Sequence, residues 1–223
     1  MTPGAATLNH RLGGISFIGS GALLLIKSVL DLLVGDPPST ASELLAWKTS
    51  HQLPLALVNE LLIVAAVLLI PALLALYRSL DGSDTPWVGF GCGLFAVALP
   101  VILVLAIVHG RLTYSVYGIN LNNPSTLALV VSLYYGGAHV VSLLLGGALI
   151  ILGLVLRRGI YGRAVGVLGV TAGVFQIVGA YPWLIGPILE WIAQLPIAAW
   201  LILTGSKLMR LQPGTPTPMH QSR

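Results

Sequence analysis

The sequence predicts an all-α polytopic integral membrane protein, a bundle of six transmembrane helices with both termini in the cytoplasm. Of its 223 residues, 56% are hydrophobic and 8% are charged, whereas soluble domains have roughly 25% charged residues. The mean hydropathy is +0.92. Six separate runs reach the length of about 20 apolar residues that a helix needs to cross a bilayer. The fold class follows from these observations, and the orientation follows from the cations.

The six apolar runs cover most of the chain. They lie at about 13–34, 52–77, 87–109, 126–156, 162–181 and 184–206. The pieces between them are too short for a soluble domain. We therefore expect a single transmembrane domain over residues 1–211 and a disordered, Pro-rich cytoplasmic tail over residues 212–223. No small-residue cleavage pattern closes the first run, which predicts a retained helix rather than a signal peptide.

The connection between the first two runs predicts a short additional helix. Its sequence is GDPPSTASELLAWKTSHQ, in which Ser39, Thr40 or Ser42 can cap a helix that carries leucines and Trp47. Such a segment suits the membrane interface. The connection around AYPW is so short that the fifth and sixth helices are expected to be antiparallel neighbours.

Small residues in the apolar runs predict close helix packing. Gly89 and Gly93, and likewise Gly169 and Gly173, are spaced by four, which lets helix backbones approach closely in lipid. The only cysteine, Cys92, lies in the third run. An internal disulfide is therefore excluded, and we expect Cys92 to be a small core residue.

The cations predict the orientation. Cytoplasmic segments of membrane proteins are enriched in Lys and Arg, and with six spans one side receives only Lys48 and Arg111. The other side receives Arg11, Arg78, Arg157, Arg158, Arg163, Lys207, Arg210 and Arg223. The basic pI of about 9.5 therefore reflects topology and contact with anionic lipid head groups. No basic and aromatic surface suggests nucleic-acid binding.

Polar side chains inside the apolar runs fall at one predicted depth. At a helical rise of about 1.5 Å per residue, they lie roughly 20–30 Å from the cationic ends of their helices, in the outer half of the membrane. A charge at the bilayer centre costs about 2.5–3.5 kcal/mol on insertion scales, so a shared pocket is favoured over separate exposure to lipid. The predicted lining consists of Lys27, Asp31, Glu60, Tyr135, His139, Gln176 and Glu190, with His51 and His109 at the pocket mouth.

Helical spacing supports this grouping. Lys27 and Asp31 are four residues apart and can therefore pair on one helix face. Tyr135 and His139 have the same spacing, which points the phenol and the imidazole in one direction.

Three classes of function fit such a pocket. The favoured class binds or transports a small amphiphilic ligand. The alternatives are an intramembrane acid–base or metal-dependent enzyme acting on a lipophilic substrate, and a non-catalytic accessory membrane subunit. The histidines and carboxylates are suitable metal ligands, but no pair has a close spacing such as HxxxH, and no nucleophile elbow, phosphate loop or dinucleotide fingerprint occurs. The sequence therefore favours a protein that is not an enzyme, and it assigns no cofactor, no metal and no catalytic residue.

Several segments carry a family resemblance. They are RLGGISFIGSGALLL, NELLIVAAVLLIPALLALYRSL, and HVVSLLLGGALIILGLVLRRGIYGRAVGVLGVTAG followed by AAWLILTGSKL. The chain resembles, over most of its length, a bacterial family of small membrane proteins called domain of unknown function 4386. That family often has a proline where Gly162, Arg163 and Ala164 stand here. The resemblance implies six helices, a multi-pass location in the bacterial cytoplasmic (inner) membrane and membrane lipids as partners. It identifies no catalytic residue and no protein partner.

Overall fold

The computed structural model describes residues 3–80 and 86–211, except for the side chains of residues 3–7, Pro187 and Glu190. Within these residues the chain forms eight helices and no β-strand, with one isolated bridge between Val116 and Ile119. The helices are α1 (Pro3–Val34), α2 (Ala41–Ser50), α3 (Gln52–Ser79), α4 (Pro86–Thr113), α5 (Pro124–Leu156), α6 (Gly162–Gly179), α7 (Pro182–Ile185) and α8 (Pro187–Arg210). The predicted tail, residues 212–223, lies outside the described residues.

Six of these helices are long and apolar enough to span a membrane: α1, α3, α4, α5, α6 and α8. The predicted all-α fold with six spans is therefore confirmed. The six helices form a ring, in which α1 packs on α3, α3 on α4, α4 on α5, α5 on α6, α6 on α8, and α8 on α1. Gly13, near the start of α1, lies against Ala75, near the end of α3, and Gly14 lies against Met209, near the end of α8. Neighbouring helices in the ring thus run in opposite directions.

A dense apolar core fills one end of the ring, called here the cationic end. Trp200 of α8 is fully buried, and its ring lies edge-to-face with Phe17, at 6.1 Å between centroids, and stacks on Phe95 at 6.5 Å. Leucines and alanines from all six long helices surround these rings. Arg11, Arg78, Arg157, Arg158, Arg163 and Arg210 are exposed at this end, with Lys207 beside them.

The glycine pairs differ in their surroundings. At the crossing of α5 and α6, a Cβ atom on Gly173 would lie 2.6 Å from the carbonyl oxygen of Gly146, so only glycine allows the two backbones to approach this closely. A Cβ atom on Gly89 or Gly93 would meet nothing within 4 Å. The same sequence spacing therefore marks a tight helix crossing in one case and an outward-facing surface in the other.

The opposite end of the ring, called here the α2 end, is covered by α2. Thr40 is the N-cap of α2, and its Oγ1 accepts a hydrogen bond from the Glu43 backbone N–H at 3.4 Å, which confirms the predicted capped helix. The buried Trp47 donates its Nε1–H to the carbonyl oxygen of Val34 at 3.3 Å. Apolar residues of α2 join a second, smaller core with α3, α4 and α5.

The connection between α4 and α5 is held by two cations. Lys48 Nζ donates to the carbonyl oxygen of Leu121 at 2.9 Å, and the Arg111 guanidinium donates to the carbonyl oxygens of Tyr114 at 3.1 Å and Ile119 at 3.0 Å. Burial, and then the nearby Arg111 charge, lower the pKa of Lys48. Both cations therefore stabilise the loop between α4 and α5.

Candidate functional site

The ring encloses a cavity of about 200 Å³ at the α2 end. Because the helices alternate in direction, it is bounded by the last turns of α1, α4 and α6 and by the first half of α3, α5 and α8. Its floor is apolar and consists of core side chains such as Leu69, Phe95 and Leu145. Its walls carry polar groups. The cavity thus has a polar upper part and an apolar base.

The structure brings most of the residues expected at a polar pocket to this one cavity. The cavity lining includes Lys27, Asp31, Tyr135, His139, Gln176 and His109. Glu60 and His51 do not line it. The side chain of Glu190 lies outside the described residues, although its backbone belongs to α8. Residues on four different helices therefore line one cavity.

On the α1 wall, Lys27 Nζ and the Asp31 carboxylate form a salt bridge. The two side chains are one helical turn apart, as their spacing in the sequence requires. The Lys27 side chain is 17% exposed and that of Asp31 is 42% exposed. This pair places two opposite charges side by side in the wall.

On the α5 wall, His139 is fixed by a backbone carbonyl. Its Nδ1 lies 2.7 Å from the carbonyl oxygen of Ala180, which can only accept a hydrogen bond, so Nδ1 carries the proton. In the neutral ring Nε2 is then an acceptor. The ring also packs against Tyr181 at 4.9 Å and Trp183 at 5.7 Å between centroids.

On the α4 wall, His109 is 4% exposed and packs against Tyr134 of α5, with 4.7 Å between ring centroids. Its Nδ1 is buried and has no hydrogen-bond partner among the described residues. Tyr134 in turn contacts the ring of Tyr135 at 5.3 Å. A buried nitrogen without a partner is costly, which is typical of a position that a ligand or water completes.

The α6 and α8 walls add amide and indole groups. Gln176 of α6 is 3% exposed, and its Nε2 donates to Gln194 Oε1 of α8 at 3.3 Å. Trp191 also lines the cavity, and its Nε1 is buried without a partner among the described residues. The sequence prediction omitted Tyr134, Trp191 and Gln194. Helical spacing could have found Gln194, which stands four residues after Glu190 and therefore on the same face of the helix, about one turn further along.

Glu60 is the main correction to the predicted lining. Its side chain is exposed on α3, and its Oε1 accepts a hydrogen bond from Tyr114 Oη at 2.9 Å. The neighbouring Asn59 occupies the buried face of α3 instead. Because successive helical residues are turned by about 100°, Glu60 shares the cavity's depth but points to another side. Burial, and then the hydrogen bond to Glu60, raise the pKa of the Tyr114 phenol.

His51 was expected at the pocket mouth, but it belongs to the junction of α2 and α3. It is the C-cap residue of α2, and its Nδ1 lies 2.9 Å from the carbonyl oxygen of Trp47 and 3.0 Å from Ser50 Oγ. The ring nitrogen therefore contacts the last turn of α2, and the side chain does not line the cavity.

No group of three or more His, Cys, Asp or Glu side chains among the described residues is arranged to hold a metal ion. Cys92 is a buried free thiol, and it lines a second, apolar groove between α3 and α4 rather than the polar cavity. The chemistry of the described cavity is therefore hydrogen bonding, one ion pair and apolar contact.

Fold and site together define the class: an α-helical multi-pass membrane protein that contacts lipid over six apolar helices. No protein-family model, no curated protein and no solved structure matches the chain. The function is therefore inferred from the site.

Proposed function

We propose that this protein binds a small amphiphilic ligand in the cavity at the α2 end, to hold it or to move it across the membrane. The observation that carries this proposal is the division of one cavity into polar walls and an apolar floor. A ligand with a polar head and an apolar body would satisfy both parts. A cavity of about 150 Å³ suffices for benzene, so the 200 Å³ found here suits a small molecule or the end of a longer chain.

The charge distribution supports an outward-facing cavity. The exposed arginines gather at the cationic end, and cytoplasmic segments are the ones enriched in Lys and Arg. This distribution supports a cytoplasmic location for both termini and a cavity that opens toward the opposite side. The family resemblance proposed from the sequence adds a bacterial inner membrane as the location.

Cavity filling tests the proposal. The test is native mass spectrometry on protein released gently from its own membrane, which detects small molecules that remain bound. Ala138 lines the cavity, so the substitution Ala138→Phe should exclude the ligand without removing a polar group. Ala199 is exposed on the outer face of α8, and Ala199→Phe is the matched control.

We expect a bound amphiphile in the wild type and in the control variant Ala199→Phe. We expect Ala138→Phe to lose it. Equal binding by both variants would place the molecule among the surrounding lipids and contradict the proposal. The absence of any bound molecule from all three folded proteins would contradict it as well.

A further inference from the structure

The charges of the cavity wall indicate which head-group charge a ligand can carry. Lys27, Asp31 and Asp36 are the charged residues among the described lining, and Lys27 and Asp31 already form a salt bridge. Asp36 lies at the exposed rim, in the connection before α2. A charged head group inside would therefore displace the ion pair or stay unpaired beside buried residues such as His109 and Gln176, and burying an unpaired charge is costly. An uncharged head group avoids this cost.

The hydrogen-bonding groups restrict the ligand further. His139 Nε2 is an acceptor in the neutral ring, because Nδ1 donates to the carbonyl oxygen of Ala180. Trp191 Nε1–H can only donate a hydrogen bond, and no described residue accepts one from it. In the pair formed by Gln176 and Gln194, one amide group donates and the other accepts, so the pair keeps one further donor group and one further acceptor for another molecule.

We infer that the ligand is an uncharged amphiphile whose head group both donates and accepts hydrogen bonds, such as an alcohol or a primary amide. This inference rests on the proposed function, since it names the head group of the molecule held in the same cavity. In the neutral ring, His139 Nε2 accepts a hydrogen bond from the head group, and Trp191 Nε1–H donates one to the head group's oxygen. The apolar chain lies toward Leu69 and Phe95.

Three octyl probes of one chain length test the inference. Each carries a terminal bromine, which quenches tryptophan fluorescence at contact, and a hydroxyl, carboxylate or ammonium head. Trp47 and Trp191 line the cavity, so occupation gives a saturable quenching component in purified protein. Partition into detergent gives a non-saturable component, which remains in the Ala138→Phe variant.

We expect the hydroxyl probe to bind at least about tenfold more tightly than either charged probe, because an unpaired buried charge is strongly disfavoured. Tighter binding of the carboxylate or ammonium probe would overturn the inference and leave the proposed function intact. No saturable quenching by any probe would overturn the proposed function, and the inference with it.

Two substitutions of His139 separate ligand contact from structure. Asparagine in His139→Asn places an amide N–H where Nδ1–H donates to Ala180, but it has no group at the position of Nε2. We expect about fivefold weaker binding of the hydroxyl probe, the effect of one net hydrogen bond of about 1 kcal/mol. Both substitutions lose the ring contacts with Tyr181 and Trp183, but the melting temperature should fall further in His139→Leu, which also loses the hydrogen bond to Ala180. Unchanged affinity in His139→Asn would show that Nε2 does not contact the head group.

Discussion

The substitution Gly153→Ala tests the close packing of α5 on α6. A Cβ atom on Gly153 would lie 2.6 Å from the backbone nitrogen of Val170 and 2.7 Å from the carbonyl oxygen of Gly166. Both contacts are with the backbone, so no side-chain rotation relieves them and the two helices must separate. Overpacking of this kind costs about 1–3 kcal/mol. The free energy of unfolding should fall by that amount relative to a glycine-to-alanine substitution in a helix without such contacts.

Gly93 supplies the matched control. A Cβ atom there would meet nothing within 4 Å, and alanine has a helix propensity about 1 kcal/mol more favourable than glycine. Gly93→Ala should therefore be neutral or stabilising. The assay is reversible unfolding in mixed micelles with increasing denaturing detergent, followed by tryptophan fluorescence. Equal stability of the two alanine variants would refute the inferred helix crossing.

Three further predictions concern the α2 end. Glu60→Gln should bind ligand like the wild type in the bromoalkyl assay, because Glu60 lies outside the cavity and an amide oxygen can still accept from Tyr114; weaker binding would contradict its placement. Arg111→Ala should make the α4–α5 connection more sensitive to protease than Arg111→Lys does, and equal cleavage rates would show that the guanidinium does not anchor this loop. In a double-mutant cycle, Lys27→Met combined with Asp31→Leu should lose less stability than the sum of the single substitutions, whereas strict additivity would mean that the salt bridge is not formed.

The sequence predicts the spans well because hydropathy is a property of each residue. The six apolar runs correspond to the six long helices, and Thr40 was among the three proposed caps of α2. The boundary between the fifth and sixth spans was less accurate. Gly186 adopts a positive φ of 76°, which favours glycine, and it separates the short α7 from α8. Hydropathy does not depend on backbone conformation, so it does not predict a helix break of this kind.

For the polar side chains, the sequence predicts a height along each helix but not a direction around it. Counting residues at about 1.5 Å each groups Lys27, His139 and Gln176, which all line the cavity. The direction of a side chain around the helix depends on which neighbours pack against it. Apart from Asn59, the residues of α3 near Glu60 are apolar on both sides of the helix, so the sequence does not distinguish the cavity face of α3 from its lipid face.

The most direct test of the central claim is chemical access to the cavity from the outer side of the membrane. Cys92, the only cysteine, is replaced by alanine, and Ser142, which lines the cavity, by cysteine. A small membrane-impermeant thiol reagent added outside intact cells should label Ser142→Cys, and the octyl alcohol probe should slow that labelling. Arg158→Cys, at the exposed cationic end, should react only after the cells are opened. Labelling of Arg158→Cys alone from outside, or labelling of Ser142→Cys that the probe does not slow, would contradict an outward-facing ligand cavity.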